Sequence, residues 1–482
     1  MQVLLTLSDA AGGVITREDL LRICWNNQIV GEDALNRAIA EVRRVARTLA
    51  ADGFVVETIP RTGYRLTGAL ARPVAAAAQS APARAVGSRR AVLAAGASGL
   101  VAAAGLAAWR FWPNGDDRRA AQLAAEARLA TKDNLPEGVN RGVALLRQAV
   151  AVEPNDAALW GQMAMALRTR SEFARPGDTA AAVEACEAAA ERGLALDPRQ
   201  PDARLALILL RTSYGDWLDV ERKLRALLAD APRHTETLAA LGFLLMAVGR
   251  TAEAEAANAQ AAAQEPLSPL YQYRLMYHLW SLNRVGEADR TIDRAIELWP
   301  RHPGVWFARI WLMGFTGRAS VALAQIADVA SRPPTMSARS ADYLRLSMEA
   351  IGSRDRAAKA AATAANLAAA QDGTGGPINA TMILTALGSL DEAFTVANGY
   401  LLRHGPSVSS LHPAPGQTLV TDQVHRKTQM LFVPVCAPLR ADPRFDDLCR
   451  GCGLTDYWRT SGHWADFLGP RRIAETAPAA AG

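Results

Sequence analysis

The chain has 482 residues, half of them apolar but only 6% aromatic, with five Cys and a formal net charge of +5. So few Cys in so long a chain exclude a disulfide-stapled scaffold, and an alanine-rich, aromatic-poor composition suits helical packing better than sheets. Residues 1–90 hold twelve Arg, no Lys and eight acids, a net +4, so the excess charge sits in a piece that faces phosphates or the cytoplasmic side of a bilayer.

Thr16-Arg17-Glu18-Asp19 has the spacing of a helix capping box, and a short helix after it is expected to bury Leu20, Leu21, Cys24 and Trp25. After a turn over Asn26 to Gly31, a second helix opens at Glu32 and Asp33 and runs to Gly53. Its apolar residues Leu35, Ile39, Val42, Ala46 and Leu49 form one buried stripe. The opposite face carries Asn36, Arg37, Ala40, Arg43, Arg44 and Arg47. Asn and Arg can bond bidentately to adenine and guanine edges, and Ala40 lets the backbone approach the groove floor, so this is a candidate recognition helix. A merely solvated arginine face is the other reading of the same pattern. From Gly53 the period changes: Phe54 to Ile59 reads as a strand, Pro60-Arg61-Thr62-Gly63 as a turn and Tyr64-Arg65-Leu66 as the returning strand, a wing beside a helix-turn-helix.

The stretch from Gly13 to Leu66 resembles the winged-helix effector domain of the OmpR/PhoB type, through TREDLL, Trp25, V-x-EDAL, Val42-Arg43-Arg44 and T-I-P-x-x-GYRL. The resemblance implies that Asn36, Arg37, Ala40, Arg43, Arg44 and Arg47 face the major groove or its phosphates, and that Arg61 reaches backbone or minor groove. Met1 falls inside the first helix (MQVLLTLSDAAGG), so the small N-terminal sheet of the family is expected to be missing. Either the module is N-terminally truncated or the true start lies upstream of Met1. Arg61 also stands where the family's wing often has glycine. With no phosphorylatable receiver ahead of the module, the arrangement resembles the membrane-anchored one-component branch typified by ToxR-like and CadC-like regulators.

After a linker over 68–90, Ala91 to Trp109 is a run of nineteen uncharged residues flanked by Arg89, Arg90 and Arg110. As a helix, 91–112 covers about 30 Å, a bilayer's hydrocarbon thickness. Uncompensated Arg72, Arg84, Arg89 and Arg90 place the N-terminus in the cytoplasm and the C-terminus in the periplasm of a bacterial inner membrane. A buried soluble helix and a twin-arginine export signal are competing readings of this run. Ala95, Gly99 and Ala103 give it a small-residue stripe against which a second copy can pack, so a homodimer enters the partner set.

Prolines 198, 232, 266, 300 and 334 recur every 34 residues with helix pairs between them, the period of tetratricopeptide repeats (TPR). Trp160 and Trp306, Gly242, and the small residues Ala254, Ala261, Ala288 and Ala295 fall at matching offsets. The 44 residues from Pro154 to Pro198 imply about ten inserted in a loop around Ser171 to Thr179. Less regular repeats are expected to continue through Leu384, Gly388, Glu392 and Ala393, giving a repeat domain over 113–400. Residues 401–482, with Leu439 to Phe445, Gly453-Leu454 and Tyr457-Trp458, read as an extension that caps it. Cys449 and Cys452, with Cys436 in reach, are either a redox-responsive pair or incidental cysteines on a capping helix.

The seven His are isolated, and there is no phosphate-binding glycine loop or nucleophile elbow, so no catalytic, cofactor or metal residue is assigned. The expected protein is mainly α: a winged helix-turn-helix over 1–67, one transmembrane helix, and an α-solenoid of TPR-like helix pairs. Its expected function is transcription regulation, with double-stranded promoter DNA, the inner membrane and a protein or peptide ligand in the TPR groove as partners. The alternative is a membrane-anchored TPR scaffold with a vestigial DNA-binding module.

Overall fold

The computed structural model describes residues 2–10, 12–24, 35–36, 38–40, 42–43, 54–59, 62–68, 115–174, 178–211, 213–353, 355–371, 375–406 and 426–468. These belong to two units, Met1–Leu106 and Ala107–Gly482.

The first unit runs α1 (Gln2–Asp9), β1 (Val14–Thr16), α2 (Arg17–Cys24), helical residues 35–36, 38–40 and 42–43, then β2 (Phe54–Ile59) and β3 (Gly63–Gly68). Asp19 N donates to Thr16 Oγ1 at 3.1 Å and the Thr16 hydroxyl donates to Asp19 Oδ2 at 2.8 Å, which fixes the start of α2. The core takes one face of every element: Val3 and Leu7, Leu20, the predicted stripe Leu35, Ile39 and Val42, and Phe54, Val56, Tyr64 and Leu66 from the strands. Trp25, Ala46 and Leu49 lie outside the described residues.

One expectation is corrected here. The sequence pattern gave strands only to the hairpin and left the N-terminal sheet missing, whereas the unit carries a three-stranded antiparallel sheet in the order β1-β3-β2. Val14–Thr16 is too short to show a period of two. Its strand character comes from pairing, Ile15 opposite Tyr64 and Thr16 opposite Gly63. Gly63 makes the approach possible, because an added Cβ would sit 1.9 Å from the Ile15 carbonyl oxygen.

The second unit contains eight helix pairs among the described residues: α3 (Gly115–Thr131) with α4 (Pro136–Val152), α5 (Ala157–Ser171) with α6 (Thr179–Leu196), α7 (Pro201–Leu210) with α8 (Trp217–Asp230), α9 (Thr235–Ala247) with α10 (Thr251–Gln264), α11 (Pro269–Ser281) with α12 (Val285–Leu298), α13 (Pro303–Phe315) with α14 (Ala319–Ala327), α15 (Ala338–Ser353) with α16 (Arg356–Ala369), and α17 (Gly375–Ala386) with α18 (Leu390–Ala397). From α7 to α14 the register is strict. First helices start at 201, 235, 269 and 303 and second helices at 217, 251, 285 and 319, each series 34 residues apart. Pro198, Pro232, Pro266 and Pro300 stand two residues beyond the second helices ending at Leu196, Asp230, Gln264 and Leu298, where a residue without an N–H cannot continue the helix. Ala254, Ala261, Ala288 and Ala295 are all buried, so paired helices touch nearly backbone to backbone.

Two periodic features lie beneath the proline spacing. The turn inside each pair carries a left-handed residue at the same offset, Gly215, Gly249, Asn283 and Gly317, with φ of 89°, 80°, 60° and 81°. Asn283 shows that the turn needs the conformation rather than glycine itself. The next residue in three of these turns is Arg250, Arg284 or Arg318, and each reaches back to an acid on the preceding second helix: Glu221 at 2.8 Å, Glu255 at 3.1 Å and Asp289 at 2.9 Å. This ladder ties each repeat to its neighbour. The expected insertion is only partly loop, since α6 extends to 18 residues where α8, α10 and α12 have 14.

Residues 426–468 do more than close the far end. They pack on α17 and also cross back over α8 to α10, where Trp217 Nε1 donates to Cys452 O at 2.9 Å and Trp458 Nε1 to Val248 O at 2.8 Å. Cys436, Cys449 and Cys452 are buried in this packing and no disulfide joins them. Burial pushes the Cys436 thiol up to about 12 and that of Cys452 to about 11.

No helix among the described residues is long and apolar enough to cross a membrane. The transmembrane helix of the expected fold is corrected accordingly, and so is the single-pass inner-membrane placement with a cytoplasmic N-terminus and periplasmic C-terminus. The physical reason is composition: even α6, the longest described helix at 18 residues, carries Glu184, Glu187, Glu191 and Arg192. The segment 91–112 lies outside the described residues.

Candidate functional site

In the first unit the candidate nucleic-acid face is the side of the helical residues 35–36, 38–40 and 42–43 turned away from the core. Asn36 and Ala40 are exposed there above buried Leu35, Ile39 and Val42. Asn36 accepts a hydrogen bond from Tyr64 OH on β3 at 3.3 Å, which orients its amide from the hairpin. Arg17 lies over the same ring, 5.4 Å from its centroid.

Arg43 is placed differently from its neighbours on that face. It is half-buried, and its guanidinium donates to Val56 O from Nε at 3.1 Å and from Nη2 at 3.0 Å, and to Thr58 Oγ1 at 2.7 Å. Arg43 therefore ties the helix to β2. Arg37, Arg44, Arg47 and Arg61 lie outside the described residues. On the hairpin, Arg65 pairs with Glu57 across the strands, and the hydrogen bond from Arg65 holds the Glu57 carboxyl below the usual carboxylate range.

The second unit encloses a cavity of about 570 Å³, lined from α3 to α11 and by Arg426, Lys427 and Gln429 of the C-terminal segment. Its wall mixes aromatic rings (Phe243, Tyr271, Tyr273) with cations, among them Arg274, whose guanidinium stacks 4.4 Å from the Phe243 centroid. Gln162 Oε1 and Gln429 Oε1 are buried at this wall without a hydrogen-bond partner. A cavity that combines stacked apolar surface, cations and unmet acceptors suits a polar segment of another molecule.

At one side of the cavity Asp202 of α7 meets His234 and Glu236 at the start of α9. His234 Nε2 lies 3.0 Å from Asp202 Oδ1 and 3.5 Å from Glu236 Oε2, and its Nδ1 lies 2.7 Å from Thr237 Oγ1. Burial works against the charged imidazole, but the Asp202 carboxylate outweighs it and raises the His234 pKa. Burial and then the proximity of Asp202 raise the Glu236 carboxyl. The sequence hid this cluster because Asp202 and Glu236 are the second residues of successive first helices, adjacent only once the 34-residue register is folded.

Residues 1–66 match the family model described as transcriptional regulatory protein, C terminal. No curated protein matches the chain. Among solved structures, a tetratricopeptide repeat protein from Parabacteroides merdae is 17% identical, with 51% of this chain and 91% of that chain covered and a TM-score of 0.32. Yeast Tom70 is 12% identical, with coverage of 70% and 67% and a TM-score of 0.34. Likeness at this level adds nothing to the repeat geometry, which stands on the periodic helix pairs; the N-terminal 66 residues are similar to a DNA-binding regulator domain.

Proposed function

We propose that this chain is a one-component transcription regulator that binds duplex DNA through its N-terminal unit and a protein or peptide partner through its repeat unit. The observation that carries the reading is the exposed Asn36 and Ala40 above a buried Leu35, Ile39 and Val42 in a segment matched by the regulator model. In this reading Asn36 reads a base edge, Arg44 and Arg47 contact phosphates, and Arg43 positions the hairpin relative to the helix. The chain binds and does not catalyse, and the cavity is where the partner's segment seats.

The test is a fluorescence-anisotropy titration of the full chain on a labelled random-sequence duplex at several salt concentrations. The double variant Arg44→Ala/Arg47→Ala is expected to lose affinity and to lower the salt slope by about 2, one per phosphate contact. Unchanged affinity and slope in a variant with native circular dichroism would sink the reading.

A further inference from the structure

We propose that Asp202, His234 and Glu236 hold a zinc-type divalent cation, which crosslinks two successive repeats and keeps one coordination position open to the cavity. Three features converge. In tetrahedral coordination with ligands at about 2.0–2.1 Å, neighbouring donor atoms stand about 3.3–3.4 Å apart. The two distances from His234 Nε2, 3.0 and 3.5 Å, bracket that spacing, and all three donor atoms lie within 4.8 Å of one another.

The imidazole is also held as a metal ligand needs to be. With Nε2 on the ion, Nδ1 carries the proton and donates to Thr237 Oγ1, 2.7 Å away on a fully buried residue. Thr237 thus fixes ring orientation and tautomer. Asp202 is oriented in the same manner, since Gln200 Nε2 donates to its Oδ2 at 3.5 Å and leaves Oδ1 facing His234.

The third feature is access. All three ligands line the cavity, together with Glu265, so an ion there meets three protein donors and has a side open for a ligand from the cavity. One nitrogen and two carboxylate oxygens favour Zn²⁺, Co²⁺ or Ni²⁺ over Mg²⁺ or Ca²⁺, which prefer oxygen donors alone.

The experiment titrates the full chain with ZnCl₂ by isothermal calorimetry and with CoCl₂ by visible absorption. One saturable equivalent is expected, with the d–d bands of a nitrogen- and oxygen-ligated Co²⁺. His234→Gln should abolish both signals, and Thr237→Val, which keeps all three ligands, should weaken affinity about 10–100-fold. Circular dichroism establishes that both variants are folded. No saturable binding, or binding that His234→Gln leaves unchanged, overturns the proposal.

Discussion

Arg43 in the N-terminal unit and Arg250 in the repeat unit both fasten one element to another, at different depths. Arg43 is half-buried and donates to a carbonyl and a hydroxyl on β2. Arg250 is 2% exposed and bonds to Glu221, Glu253 and Tyr457, while Tyr457 OH donates to the other Glu221 oxygen at 2.7 Å. Burial works against the Arg250 charge, but hydrogen bonds to Glu253 and Tyr457 and the attraction of Glu221 outweigh it and keep its pKa above the ordinary value. Fastening through half-buried polar bonds lets a small unit yield locally. A buried charge network makes its attachment nearly all or none.

The largest expected effect tests that contrast inside the ladder. Glu221→Leu removes the acceptor that buried Arg250 and Tyr457 share, leaving Arg250 only the half-exposed Glu253 as a carboxylate partner, and should cost about 3 kcal/mol. Asp289→Ala, at the equivalent position two repeats on, removes a pair whose side chains are 26% and 33% exposed and should cost about 0.2–1 kcal/mol. Urea denaturation of the full chain, followed through the repeat unit's helical signal, measures both. Equal losses would mean that register, not burial, sets the strength of the ladder.

The depth of such groups was not legible in the sequence, although much else was. The proline spacing marks the ends of second helices, and the stripe Leu35, Ile39 and Val42 is buried as its period requires. These are local patterns, in which neighbours in sequence are neighbours on one face. The features missed all depend on distant pairing: β1 is a strand because β3 lies beside it, Arg43 turns to β2, and Glu221 meets Arg250 and Tyr457 only in the folded array. The left-handed turns were in principle readable, because Gly215, Gly249 and Gly317 share the repeat offset. Asn283 broke the glycine pattern while keeping the geometry.

An intermediate effect comes from a buried titratable group in the repeat unit that has no acid beside it to offset burial. His278 on α11 is 3% exposed, its Nδ1 has no hydrogen-bond partner, and burial, assisted by Arg274, lowers its pKa to about 3. Below pH 6.5 the unfolded chain takes up a proton that the folded chain refuses, so stability falls as pH is lowered from 6.5 to 5. The slope from this residue is at most about 1.4 kcal/mol per pH unit. His302, also lowered by burial, contributes with the same sign, and His234, whose pKa is raised, with the opposite sign, but both do so in wild type and variant alike and leave the comparison unchanged. Denaturation at successive pH values should therefore show a shallower dependence for His278→Gln than for the wild type. Parallel curves would show that His278 is already solvated in the folded state.

The smallest expected effect asks whether the two units differ at all where the chemistry is local. Thr16 caps α2 in the first unit, and Asp156 caps α5 in the second, accepting from Ala158 N at 2.7 Å and Leu159 N at 3.2 Å. Each satisfies amides that the first helical turn leaves without a partner, and each does so at an exposed site. Alanine at either position should cost about 0.5–2 kcal/mol, and Thr16→Ser, which keeps the hydroxyl, should cost less than Thr16→Ala. If the two caps weigh alike, local bonds contribute equally in both units and the contrast between them resides in buried charge. A cap at Asp156 worth much more than the one at Thr16 would show instead that the continuous repeat core amplifies even its surface bonds.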